Sequence, residues 1–181
     1  MTKTAPAAPA APVRRYYLRA AGPARSAAAE EESDDDERHP SLATGRVVRV
    51  RKDGNCLFTA FRRATGDAVA TRKWLAAQIR EHVDPARLAP WGVEHKGRLA
   101  SFVARSGAFR SDMGDVVLAL LCACRGIDVT VMDRATGRST SHDAAALRAS
   151  FGLPASASPA AAAPHALLLG DEHYDVYEAA A

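Results

Sequence analysis

"DGNCLF" (Asp53–Phe58) stands between a strand-like run, RVVRVR (Arg46–Arg51), and a helix-like run, LFTAFRRATG (Leu57–Gly66). Its residue types put a sharp turn where a strand passes into a helix. Gly54 permits a tight or left-handed turn, and Asp53 and Asn55 are both good helix N-cap residues. Cys56 then falls in or beside the first helical turn, where free N–H groups and the positive end of the helix dipole favour a thiolate over a thiol. Position alone leaves two readings of Cys56, a nucleophile or a small buried residue at a helix start.

Helix and strand patterns continue downstream. In ATRKWLAAQIREHV (Ala70–Val83), Trp74, Leu75, Ile79 and Val83 are spaced for one face of an amphipathic helix, closed by Asp84-Pro85. The mixed segment Ala86–Phe109 carries a short helix at Arg98–Arg105, and an apolar helix from Gly114 to Arg125 ends at Gly126, a natural C-cap. IDVTVMD (Ile127–Asp133) is a β-branched strand, and Ala135–Gly137 turns into a weaker strand, RSTSH (Arg138–His142). The low-complexity PASASPAAAAP (Pro154–Pro164) is expected to be a loop inside the domain. HALLL, a turn at Gly170–Glu172 and HYDVYE (His173–Glu178) make a hairpin-like ending. Together these elements predict an α+β fold, a small mixed β-sheet packed between helices.

The 181 residues suffice for one domain with a real core, although the 48% apolar fraction is inflated by alanine. Residues 1–45 are Ala/Pro-rich, with an acidic block at Glu30–Glu37 and no sustained apolar period, so they are expected to form a disordered tail ahead of a domain at 46–181. A net charge of +3 is too small and too dispersed to argue for nucleic acid. No run of about 18 apolar residues offers a membrane span. Three cysteines, without a CxxC, argue against a disulfide framework and for a reducing compartment. Cys122 and Cys124, two apart on a helix, face different ways and are read as packing. No Cys/His cluster has metal-ligand spacing, so neither a metal nor another cofactor is expected. His39, His82, His142 and His165 lack spaced partners and are read as surface residues.

His173-Tyr174-Asp175 is the second informative triplet. Residues two apart on a strand share a face, so the Asp175 carboxylate lies beside the His173 imidazole while Tyr174 points the other way. A carboxylate on one ring nitrogen fixes the tautomer and lets the other nitrogen accept a proton from a thiol. A helix-start cysteine and a strand-borne His-x-Asp are the two halves of a thiol-protease site.

With both halves in place, DGNCLF and the C-terminal HYD resemble the ovarian-tumour (OTU) family of papain-like cysteine proteases, which remove ubiquitin or ubiquitin-like modifiers. MGDVVLALLCACRGIDVTV (Met113–Val131) resembles the family's middle motif, a Trp-Gly-Gly start, an apolar helix and an Ile-x-Val strand. Met113 replaces the usual tryptophan, and Val116-Val117 replace a commonly acidic helix start, so the resemblance is to a divergent member. It spans about Val47 to Val176.

The resemblance implies an OTU-type papain-like fold and a deubiquitinase in which Cys56 attacks, His173 is base and then acid, and Asp175 orients His173. Asp53 either shapes the loop or contacts the histidine, and the loop role is favoured because Asp175 already fills the other. Backbone N–H groups of Gly54, Asn55 and Cys56 would form the oxyanion hole. Tyr174 either flanks the channel for the modifier's Gly-Gly tail or packs in the sheet, and Trp91 and His95 are candidate contacts to ubiquitin. Expected partners are ubiquitin or polyubiquitin, or a ubiquitin-like modifier, bound by a monomer in the cytoplasm, or in the host cytoplasm for a viral or pathogen source. A ubiquitin-binding module or adaptor without strong catalysis is the alternative.

Overall fold

Strand β1 (Gly45–Val48) opens a five-stranded sheet whose order is β1-β5-β4-β2-β3. The computed structural model describes residues 45–108, 111–154, 165–170 and 173–179, all within the compact unit Glu37–Ala181. Apart from Gly45, the expected tail lies outside the described residues. So do most of the expected Pro154–Pro164 loop and, of the Gly170–Glu172 turn, Asp171 and Glu172.

The other strands are β2 (Val129–Asp133), β3 (Ser139–His142), β4 (His165–Gly170) and β5 (His173–Ala179). The sheet is mixed as expected: β2 and β4 are parallel, while β1–β5, β4–β5 and β2–β3 are antiparallel. A parallel pair needs a crossover connection. Here it runs through β3 and a helix absent from the sequence reading, α5 (Ala144–Ser150). That helix was hidden by alanine, which gives no apolar period. Its signals were Asp143, whose carboxylate accepts from the Ala146 N–H, and Gly152 beyond its end at φ 67°.

The remaining helices are α1 (Cys56–Thr65), α2 (Arg72–His82), α3 (Lys96–Ala104) and α4 (Ser111–Arg125), with 3-10 turns at Pro85–Arg87 and Ala89–Trp91. Helix α2 starts where Thr71 caps the Trp74 N–H and buries Leu75 and Ile79, with Val83 buried just beyond its end, as the spacing predicts. Helix α4 is the core element: every residue from Val116 to Ala123 is buried. Leu118, fully buried, has nowhere to relax on truncation. Leu118→Ala is therefore expected to cost about 2–5 kcal/mol, read as a lower guanidinium midpoint at unchanged slope.

The sheet has two unequal faces. Val48, Val129, Val131, Leu167, Tyr174 and Val176 join the main core, and Leu168 and Tyr177 form a small cluster on the other side. Period-two alternation puts His173 and Asp175 on the Tyr177 side of β5. Helix α1 packs against β5 and β4, its buried residues joining Tyr174 and Val176 in the main core.

Candidate active site

Taken as whole residues, His173 and Asp175 are the only buried charged or polar ones among the described residues, 6% and 4% exposed. His173 Nε2 lies 3.1 Å from Asp175 Oδ1. A carboxylate only accepts, so Nε2 carries the proton and Nδ1 is left as the basic nitrogen. The shared strand face thus brings the His173 ring and the Asp175 carboxylate into hydrogen-bonding distance.

Asp175 has a second task that the sequence did not disclose. Its Oδ1 also accepts the Val50 N–H at 2.8 Å, and Arg49 stands 3.8 Å from Oδ2. Arg49 is 60% exposed, so that ion pair adds little. The Val50 bond explains why β1 stops at Val48 although the strand-like pattern runs on to Arg51. The register pairs Val48 with Val176, and two residues further on the side chain of Asp175 takes an N–H that would otherwise seek a backbone partner. The segment entering the cysteine loop is thereby tied to the carboxylate that faces His173.

The loop itself is held by its own side chains. Asp53 is exposed, and its Oδ1 accepts the Asn55 N–H at 2.9 Å, a bond that holds the Asp53 carboxyl below its ordinary pKa. The bond is local to the loop, and no bond from Asp53 to His173 occurs among the described residues. Asn55 occupies the N-cap position without capping: its Oδ1 accepts instead from Gly107 N at 3.0 Å and Arg72 Nε at 2.8 Å. With the Asn55 N–H engaged by Asp53, the expected oxyanion set loses that donor. Among the described residues, the N–H groups of Gly54 and Cys56 carry no hydrogen-bond partner and remain as donors. Cys56 is the first residue of α1, where an amide has no intrahelical acceptor. Its side chain is nearly covered, at 3% exposure.

Gly54 is required for two reasons. Its φ is +72°, and a Cβ there would lie 2.1 Å from the Gly107 carbonyl oxygen. Gly66 has nearly the same φ, +70°, with nothing within 4 Å of an added Cβ. Gly66→Ala should therefore cost only the left-handed strain, about 1–2 kcal/mol. Gly54→Ala adds a backbone clash, and its melting temperature is expected to fall further than that of Gly66→Ala in parallel thermal melts. Equal losses would show that the contact with Gly107 is slack.

Arg72 was missed by sequence reasoning. It stands at the first position of α2, where side chains lean back toward the helix N-terminus. Beyond the bond to Asn55, its guanidinium donates to the carbonyls of Gly54, Val103 (3.2 Å) and Ala108 (2.6 Å), and its carbon lies 4.8 Å from the centre of the Phe58 ring. Burial lowers its pKa, while Cys56 and Asp53 act in the opposite direction. An arginine at a helix start gives no sequence signal of such a role.

The remaining candidates separate. Tyr174 is 2% exposed in the main core, on the face opposite His173, so its burial supports sheet packing rather than the channel role. Trp91 is half-buried and stacks on Phe151 with centroids 5.3 Å apart, and His95 is exposed at the head of α3. Both lie outside the hydrogen-bonded unit around Asp175. Burial raises the thiol pKa of both Cys122 and Cys124, the latter to about 11, so both stay protonated in packing positions. Met113 is half-buried against the core, with Val116 and Val117 buried beside it. His142 departs from the surface expectation: it is half-buried on β3, and burial lowers its pKa.

No family model and no curated protein sequence matches the chain. Solved structures do. An OTU domain in complex with ubiquitin superposes with a TM-score of 0.54 at 14% identity, covering 74% of this chain and 69% of the other. The OTU domain of OTUD1 gives a TM-score of 0.53 at 19% identity, covering 75% of this chain and 86% of the other. The chain has an OTU-type fold, as the two triplets led one to expect.

Proposed function

We propose that this chain is a cysteine isopeptidase that removes ubiquitin, or a ubiquitin-like modifier, from conjugates. The observation that carries this is the dry His173–Asp175 pair on β5, with Nε2 engaged and Nδ1 left basic, in a domain that packs the cysteine-bearing helix against the same strand. The OTU-type fold supports the choice of modifier, since one similar domain is in complex with ubiquitin.

In the proposed reaction the Cys56 sulfur attacks the carbonyl carbon of the modifier's C-terminal glycine, and the thiol proton passes to His173 Nδ1. The carbonyl oxygen becomes an oxyanion facing the N–H groups of Gly54 and Cys56. Such a donor is worth about 10²–10³ in rate. The tetrahedral species collapses as the C–N bond breaks, with His173 returning its proton to the departing lysine amine. Water activated by His173 then cleaves the thioester and restores the thiol. This chemistry needs a reduced Cys56, which suits a reducing compartment such as the cytoplasm.

The test is turnover of ubiquitin bearing a C-terminal fluorogenic amide, with and without prior alkylation of the protein. We expect turnover that alkylation abolishes. Reversible ubiquitin binding without turnover would instead assign the domain to the binding-module class.

A further inference from the structure

Four neutral oxygens surround the Arg72 guanidinium: the carbonyls of Gly54, Val103 and Ala108 and the side-chain oxygen of Asn55. No carboxylate bonds to it among the described residues. A half-buried cation is ordinarily matched to an anion; this one is spent on binding three pieces of chain together. They are the Gly54–Asn55 part of the nucleophile loop, the C-terminal turn of α3 at Val103, and the segment at Gly107 and Ala108. The Val103 carbonyl is one of the last four of α3, which lack intrahelical donors and mark the negative end of its dipole.

The decisive bond is the one to the Gly54 carbonyl. That oxygen and the Asn55 N–H belong to a single peptide plane. Arg72 holds the oxygen end and Asp53 Oδ1 holds the N–H end, so the plane is pinned at both edges. The planes on either side carry the Gly54 and Cys56 amides. With φ of +72° and no side chain, Gly54 is the residue about which the loop could most readily reorient. The Phe58 ring against the guanidinium limits its movement.

We propose that Arg72 is the positioning residue of the nucleophile loop, fixing the Gly54–Asn55 peptide so that the Gly54 and Cys56 N–H groups hold their places as oxyanion donors. The donor role rests on the isopeptidase reading; the pinned peptide does not. The planar fork is what matters, because a lysine ammonium keeps the charge but cannot reach four acceptors in one plane.

The test is Arg72→Lys in the full chain, checked first for a native circular dichroism spectrum. On the ubiquitin fluorogenic amide, kcat is expected to fall about 10- to 100-fold, part or all of one donor's worth, with KM changed less than about threefold. Alkylation of Cys56 by iodoacetamide, followed by peptide mass, forms no oxyanion and should stay within about threefold of wild type. Hydrogen exchange of the Asn55 amide should accelerate at least about tenfold while the Leu118 and Leu120 amides keep their protection. A variant with wild-type kcat, or one in which alkylation falls in step with kcat, overturns the proposal. Unchanged exchange at Asn55 overturns it whether or not the protein acts on ubiquitin. A wild-type protein that alkylates at Cys56 yet never turns over the ubiquitin amide sinks the isopeptidase reading instead, and the exchange measurement still decides the role of Arg72.

Discussion

Cys56→Ala is expected to lower turnover of the ubiquitin fluorogenic amide by at least about 10⁴-fold, because loss of the nucleophile in a concerted unit removes nearly all of its chemistry. Stability should hardly move. The side chain is 3% exposed at the start of α1, and removing one sulfur leaves a small void, costing about 1 kcal/mol. Melting temperature and ubiquitin affinity are thus the controls. A variant that kept wild-type turnover would exclude thiol catalysis, whereas one that lost both activity and fold would say nothing of chemistry, in which case Cys56→Ser serves as the second variant.

The second large effect divides the histidine unit. His173→Ala should approach the loss of Cys56→Ala, since His173 is the group proposed to take the thiol proton. Asp175→Ala should lose less activity, because Asp175 orients the ring without transferring the proton. It should lose more stability than the sequence suggests, since the buried Val50 N–H is left without its acceptor, at about 1–3 kcal/mol. Melting temperatures of about 2–4 °C lower per kcal/mol would register this. Asp53→Ala is the comparison. Asp53 is exposed and its carboxylate bonds to the Asn55 N–H of its own loop, so its effect should come through that amide. A severe Asp53→Ala loss beside a mild Asp175→Ala loss would reverse the assignment of the third residue.

What could be read from sequence followed from short-range rules. The two-residue period of a strand was enough to pair His173 with Asp175 and to turn Tyr174 away. Glycine and asparagine chemistry was enough to put Cys56 at a helix start, and the spacing of Leu75, Ile79 and Val83 was enough to give α2 its buried face. What escaped depends on contacts between distant segments. Nothing local to Val50 says that a carboxylate on β5 will claim its N–H, so the end of β1 was misjudged. Asn55 has the profile of a cap, yet its side chain is drawn to Gly107 and Arg72, residues brought near only by the packing of α2 and α3. The left-handed turn expected at Gly54 is there, at φ +72°, but the backbone of Gly107, which also excludes a Cβ, comes from a distant segment. Helix α5 was overlooked because alanines carry no periodic contrast, leaving Asp143 and Gly152 as its only marks.

Joint action of Cys56 and His173 on a ubiquitin C-terminus can be measured by incubating the full chain with ubiquitin carrying a C-terminal electrophile and determining intact and peptide mass. A single covalent adduct on the Cys56 peptide is expected, absent in Cys56→Ala and strongly slowed in His173→Ala. An adduct on Cys122 or Cys124, or no adduct from a folded protein whose Cys56 is reduced, would contradict it.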